Sequence, residues 1–260
     1  MILSIAIQKG GSGKTTTAIN LAAALQQLGK KVLLIDLDPQ ANLTQALGFS
    51  AEPEPNLYHL LRQEVQGDSP DVAAAILEAG TLRLLPASLE LANAELELVS
   101  VYGRERILTR LLQQLPPDAY DWIILDCPPS IGMLTINALT ASDQVLMPLA
   151  AEFLPLKGVQ SFMRTFNLVQ KQLNPRLRLM GLVLTRYDQR TTVNRDMLDQ
   201  LIREYGDSVF DTRIRPNVAL AKSQEWGVDI FSYDKTSNGA YDYLQLAREV
   251  LAKSQRPLNP

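Results

Sequence analysis

The 260-residue chain has one cysteine, Cys127, and one histidine, His59. A single thiol closes no internal disulfide, and one chain with these counts assembles neither a cysteine-ligated cluster nor a zinc site. One imidazole likewise argues against histidine-based metal or triad chemistry. No apolar run approaches the roughly 18 residues of a membrane span. Met1 to Ile7 carries no basic stretch, and the apolar run ends by Gln8-Lys9, so no secretory leader is expected. The net charge of −3 shows no overall basic balance that would point to nucleic acid. What remains is a chain 46% apolar and 20% charged, ordinary for a soluble globular protein of one large or two small domains.

The net charge hides an asymmetry. Residues 1–150 hold 9 basic against 16 acidic residues, a balance of −7, and residues 151–260 hold 16 against 12, a balance of +4. Eleven of those 16 later cations are arginine. Such a split marks either a solvated surface or a nucleic-acid or membrane face.

Short apolar runs recur along the chain: Ile2–Ile7, Val32–Ile35, Leu82–Leu85, Trp122–Leu125, Val145–Met147, Leu179–Leu184 and Val209-Phe210. Helical spacing lies between several of them, over Lys14–Leu28, Gly158–Leu173, Val193–Tyr205 and Gly239–Leu251. Unalternating apolar strands separated by helices predict one α/β domain, a mostly parallel twisted sheet with helices on both faces. The stretch 51–56 and the Gly67–Pro70 turn read as surface loops.

Between the first strand and first helix stands Gln8-Lys9-Gly10-Gly11-Ser12-Gly13-Lys14-Thr15-Thr16. Glycines there let backbone N–H groups curl around a phosphate, and the helix N-terminus adds partial positive charge. In that reading Lys14 reaches the β/γ-phosphates and the Thr15 hydroxyl ligates Mg²⁺. Gln8 stands where the strict pattern has its first glycine. After the second strand comes Asp36-Leu37-Asp38-Pro39-Gln40, where alternation puts Asp36 and Asp38 on the same side of an extended segment. Either a turn-forming aspartate or a carboxylate serving a water or a metal fits this position. Trp122–Leu125 followed by Asp126-Cys127-Pro128-Pro129-Ser130 is an apolar strand with an acid at its carboxyl end, the place for a Mg²⁺-holding aspartate. Cys127 reads as a small buried hydrophobe rather than a redox group.

K-G-G-x-G-K-T with a second lysine, Lys9, resembles the deviant Walker A motif of the ParA/MinD ATPases, and its Gln-Lys-Gly-Gly start is similar to the ParA/Soj branch. The resemblance runs from Ile2 to about Leu251. It implies a single ParA-like P-loop ATPase domain over residues 1–260, with an ordered core over about 2–253 and a short tail at 254–260. It also implies ATP and Mg²⁺ as ligands, bound by Lys9, Gly10, Gly11, Ser12, Gly13, Lys14, Thr15 and Thr16. Lys9 would cross an ATP-sandwiched homodimer to the partner's phosphates. D-x-D-P-Q is similar to switch I, and its second aspartate, Asp38, is the one tied to hydrolysis. The segment after Asp126 is similar to switch II, so the metal side falls to Thr15, Asp38 and Asp126.

In ParA-like proteins the segment matching Ile214–Val218 packs against adenine, which implies Pro216 and Asn217 on the base side. The family reads Pro-Arg-Asn where this chain reads Arg-Pro-Asn. The family's C-terminal cations hold DNA without sequence preference, which implies roles for Arg190, Arg195, Arg213, Arg215, Lys222, Lys235 and Lys253. Backbone-phosphate binding needs cations and no base code.

The resemblance therefore implies a cytoplasmic, nucleoid-associated ATPase that partitions chromosome or plasmid DNA with a ParB-like activator. The same cycle could instead position a protein cargo or organelle through an adaptor. A MinD-like membrane switch needs a C-terminal amphipathic helix with a basic face, and Gly239–Lys253 offers only Arg248 and Lys253, so no membrane is expected. An electron-transfer ATPase like the nitrogenase iron protein needs two cluster cysteines per chain and is excluded. A metabolic ligase on this scaffold would need a substrate pocket that the sequence does not reveal.

Overall fold

The apolar runs assemble as one seven-stranded sheet. In the computed structural model, which describes residues 1–50, 52–151 and 156–255, the strands are β1 (Ile2–Ile5), β2 (Val32–Asp36), β3 (Leu77–Ala79), β4 (Leu82–Leu85), β5 (Trp122–Asp126), β6 (Gln144–Ala150) and β7 (Arg178–Thr185). Their order across the sheet is β3-β4-β2-β5-β1-β6-β7. Every pairing is parallel except β3 with β4 at one edge. Of the expected tail, residues 256–260 lie outside the described residues, as does residue 51 of the first expected loop.

Eleven α-helices of the described residues connect or cover the strands. They are α1 (Lys14–Gln27), α2 (Asn42–Ala46), α3 (Leu57–Gln66), α4 (Leu91–Glu97), α5 (Ile107–Leu112), α6 (Met133–Ala141), α7 (Leu156–Gln172), α8 (Thr192–Tyr205), α9 (Val218–Glu225), α10 (Ile230–Asp234) and α11 (Asn238–Ser254). The period of two along each strand divides the sheet between two cores. On β2, Leu33 and Ile35 join a core with α3 to α8, while Val32 and Leu34 join one with α1 and α9 to α11. Both faces of β2 are therefore dry, which is why its sequence does not alternate.

Helix ends follow local chemistry. Asn56, Asp229 and Ser237 each accept backbone N–H groups at the starts of α3, α10 and α11. The apolar stripe of α11 (Tyr243, Leu246, Ala247 and Val250) is buried in the core against α1. That helix is a core element, as its scarcity of cations led one to expect. No helix among the described residues is long and apolar enough to cross a membrane.

One strand expectation fails. Val209-Phe210 makes only an isolated bridge, Val209 with Leu182, though Phe210 N–H donates to Leu182 at 2.9 Å. Two residues after a turn at Gly206 are too few to extend a parallel ladder. The first strand also ends at Ile5 rather than Ile7, although Ala6 N–H still reaches Leu146 O at 3.2 Å. The consequence for function lies at the carboxyl end of the sheet. The loops after β1, β2, β5 and β7 all emerge there, where open parallel sheets bind ligands.

Candidate functional site

The loop after β1 is held in shape before any ligand is considered. Gly13 is the residue before α1 and has φ +86°, a left-handed backbone that side chains disfavour. A Cβ there would only touch the Thr185 side chain, at 3.5 Å, so the backbone angle and not crowding sets the requirement. Thr185 Oγ1 in turn donates to Ser12 O at 2.9 Å, so the end of β7 braces the loop. Lys14 Nζ donates to Lys9 O at 3.0 Å, which curls the lysine over the loop. Lys14 is buried, and burial pushes its ammonium below the ordinary lysine range, with Asp126, Cys127 and Asp38 opposing that shift. The first turn of α1 has no acidic residue to neutralise its positive end. Lys9 stands half-buried at the head of the loop.

The carboxylates divide the work differently from the alternation argument. Asp36 is fully buried and accepts from Asp38 N–H, Thr44 N–H and Thr44 Oγ1 at 3.1, 2.9 and 2.8 Å. It ties β2 to α2 and stands apart from the phosphate cavity. The chain turns at Asp38, whose carboxylate accepts Gln40 N–H at 3.0 Å and whose carbonyl accepts Ala41 N–H. Asp38 alone of the two lines the phosphate cavity, because this turn ends the extended geometry that would have kept them side by side.

Thr15 Oγ1 donates to Asp126 Oδ2 at 2.7 Å. Asp126 Oδ1 is buried and has no hydrogen-bond partner. Burial raises this carboxyl well above the usual range, Asp36 adds repulsion, and the Thr15 hydrogen bond and Lys14 pull the other way. An orphaned carboxylate oxygen beside a hydroxyl suits a hard divalent cation. No group of three or more His, Cys, Asp or Glu side chains that could hold a metal occurs among the described residues. Mg²⁺ fits that donor set, because it habitually completes its shell with phosphate oxygens and water. Cys127 is buried and free, and burial, then Asp126, pushes its thiol up to about 12, so it is inert as a nucleophile.

Two cavities meet at this loop. One, of about 390 Å³, is lined by residues 10–16 together with Asp38 and Pro129. The other, of about 410 Å³, is lined by Pro216, Asn217, Leu220 and Tyr243, which brings both expected base-side residues to its wall. Asn217 Oδ1 caps α9 by accepting Ala219 N–H at 2.8 Å, which leaves its amide N–H₂ group as the part able to face a purine. The Arg-Pro-Asn order has a structural counterpart. Arg215 N–H donates to Asp242 Oδ2 at 3.0 Å and its guanidinium is bidentate to the same carboxylate, with a shortest contact of 2.6 Å. A proline at 215 would lack both donors.

Two residues shared by the cavities escaped the sequence reading. Gln224 Nε2 donates to Thr16 Oγ1 at 3.0 Å. Its only signal was its place on α9, two turns beyond Asn217. Arg186 has φ +52°, a left-handed conformation at the junction of the cavities. Nothing in its sequence context marks that strain.

The expected cations are only partly brought together. Arg190, Arg213 and Arg215 line one cavity of about 510 Å³ beside the base cavity. Arg190 is engaged by Asp188 at 2.7 Å, and Arg213 lies 5.7 Å from the Tyr187 ring. Lys253 donates to Asp207 O at 2.8 Å. Arg195 is exposed on α8, Lys222 on α9, and Lys235 at the end of α10.

Asp36 makes stability depend on pH. Burial raises its carboxyl from 3.8 to about 6. The folded chain holds this proton more tightly than the unfolded one, so the contribution is full below about pH 4 and is lost as pH rises through about 6, each unit being worth about 1.4 kcal/mol. Urea denaturation across that window should show wild type losing stability relative to Asp36→Asn. Parallel profiles would contradict the assignment.

A family model described as an AAA domain matches residues 1–179. Sporulation initiation inhibitor protein Soj of Bacillus subtilis is 44% identical over 252 residues, covering 96% of this chain and 98% of its own. Chromosome partitioning protein ParA of Caulobacter vibrioides is 40% identical over 98% of this chain and 95% of its own. A crystal structure of cobyrinic acid a,c-diamide synthase from Mycobacterium smegmatis with bound ADP and magnesium matches with a TM-score of 0.84 and 38% identity, covering 100% of this chain and 99% of that one. A braced phosphate loop and a strand-end aspartate on a parallel sheet, in a sequence this close to Soj and ParA, place the chain in the AAA-domain family, as a Soj-type member of the ParA/MinD superfamily.

Proposed function

We propose that this chain is a magnesium-dependent ATP hydrolase that partitions chromosome or plasmid DNA. The observation that carries the reading is the meeting of Lys14, Thr15, Asp38 and the Asp126 loop around one cavity at the head of α1. The 44% and 40% identity to Soj and ParA supports partition as the process. A ligase, as the name of the Mycobacterium smegmatis neighbour indicates for that protein, would be distinguished by needing a small-molecule acceptor for turnover.

In this reading the open end of α1 and the N–H groups of Gly10 to Thr16 bind the phosphates. Lys14 exchanges the Lys9 carbonyl for a phosphate oxygen, a trade that its burial favours because an unpaired ammonium is costly there. Thr15 and Asp126, with Asp38 beside them, would hold magnesium, which when bound would supply positive charge against the phosphates. Asp38 orients the attacking water. Lys9, at the mouth of the loop, reaches the phosphates of a second copy and supplies in trans the positive charge that phosphoryl transfer needs. Pro216 and the Asn217 amide face the base.

DNA binding falls to the arginine-lined cavity and its surroundings. Arg190, Arg213 and Arg215 line one cavity, Arg195 reaches Gln189 O on its wall, and Lys253 shares a second cavity with Arg213. The exposed Arg190–Asp188 pair is worth little at a surface, so phosphate oxygens compete well for that guanidinium, whereas Arg215 stays anchored to the buried Asp242 and offers only its remaining donors. The ATP-built dimer doubles the set, a ParB-like partner accelerates hydrolysis, and release follows in the ADP state.

Replacing Asp38 by alanine should leave ATP binding intact, slow turnover by roughly 10²-fold and trap a dimer. Steady-state hydrolysis with size-exclusion light scattering checks this, and unchanged turnover would remove Asp38 from the mechanism. DNA retention should require ATP. With six arginines per dimer it should weaken by roughly 10³-fold between about 50 and 200 mM salt. Equal retention in ADP, or retention indifferent to salt, would contradict the switch.

A further inference from the structure

The Asp126 loop has two ends. One is β5, fixed in the centre of the sheet between β1 and β2. The other is the start of α6, and there the chain offers nothing of its own. The residue before the helix is Gly132, extended at φ −108° and ψ −168°, with no side chain to accept the first free N–H groups. Those groups are satisfied from another element. Glu95, on α4, accepts Met133 N–H through Oε2 and Leu134 N–H through Oε1, both at 3.1 Å. A carboxylate at this end also meets the positive pole of the helix.

The fit leaves no spare room. A Cβ on Gly132 would stand 2.1 Å from Glu95 Oε2 and 2.4 Å from Oε1. A Cβ on Gly132 would therefore displace the flexible carboxylate end of Glu95 from the helix start. Glu95 is half-buried, and Leu91 and Ala94 of the same short helix are buried in the core, which fixes its origin. Beyond the clamp, Thr135 Oγ1 donates to Ser130 O at 2.7 Å, and Asn137 accepts Leu108 N–H and donates to Arg104 O. The loop from Asp126 to Gly132, with Pro129 on the wall of the phosphate cavity, is thus strung between the sheet and a carboxylate of α4.

We propose that Glu95 is a positioning residue for hydrolysis. By clamping α6 it sets where Pro129 and the rest of the loop beyond Asp126 stand against the nucleotide phosphates. It touches neither phosphate nor water, and it acts through the loop. The inference rests on the ATPase reading above, which wild-type turnover in the same assay tests separately.

The test is a kinetic split with a paired variant. Glu95→Ala should lower kcat by roughly ten- to a hundredfold, the cost of a small misplacement of reacting groups. KM for ATP should stay within about twofold, because the phosphate loop that binds ground-state ATP is braced by Thr185 instead. Glu95→Gln, which keeps one acceptor without the charge, should fall between alanine and wild type. Gly132→Ala should reproduce the Glu95→Ala defect by expelling the carboxylate, and the double variant should be no worse than either single one. Hydrogen exchange at Met133 and Leu134 should quicken in all three alanine proteins. Wild-type kcat in a folded Glu95→Ala protein would overturn the proposal. So would a KM that rises as much as kcat falls, or fully additive defects in the double variant. Should Glu95→Ala fail to fold, Glu95→Gln and Gly132→Ala carry the same comparison: wild-type kcat in both would equally overturn it.

Discussion

The 2.7 Å hydrogen bond from Thr15 to Asp126 is the contact on which the site depends. It joins the first turn of α1 to the end of β5 and fixes the phosphate loop relative to the metal-side carboxylate. Its cost is electrostatic. Asp126 is buried, repelled by Asp36 and given one donor for two oxygens. A buried carboxyl in that condition either holds a proton or is completed by something cationic. Lys14 lies near enough to help but is itself desolvated and bonded to a carbonyl. The free site is thus electrostatically unfinished, and in the proposed reading a magnesium-bound polyphosphate would supply the missing cation and a charged acceptor for Lys14 in place of the Lys9 carbonyl.

Around that contact the fold works by bracing. Thr185 holds the loop from β7, Asp36 and Thr44 hold the β2 turn, and Glu95 holds the start of α6. The Thr185 and Glu95 braces come from elements distant in sequence and end on backbone groups, whereas Asp36 and Thr44 close a local turn. The reacting side chains are left free to face the cavity while the main chain beneath them is fixed. That is the arrangement preorganised charge stabilisation requires.

Much of this was legible before any coordinates. Continuous apolar runs announced a mostly parallel sheet with helices on both faces, and the structure has one, while its strand order was not legible. The phosphate loop was legible because its chemistry is local: glycines, lysine and threonine within nine residues. Asp126 was legible because a strand end fixes where it points. The division between Asp36 and Asp38 was not, because a single turn at Asp38 breaks the alternation. Gln224, Arg186 and Glu95 were invisible for a common reason. Gln224 and Glu95 meet partners brought near only by the tertiary fold, Arg186 is set apart only by its backbone angle and place between the cavities, and all three residue types are what any solvated surface carries. The charge balance taught a related lesson. A net −3 averages an acidic nucleotide half with an arginine-rich half, and three of its arginines do converge on one cavity.

The most direct measurement is the affinity for ATP with magnesium and with EDTA, in wild type and in Asp126→Asn. The neutral amide keeps the shape and removes the unbalanced charge. Wild type should lose roughly 10- to 100-fold in affinity when magnesium is withdrawn. The asparagine variant should bind ATP equally in both conditions, and in EDTA at least as tightly as wild type. An equal dependence on magnesium in the two proteins would contradict the role given to Asp126 and the unfinished site built around it.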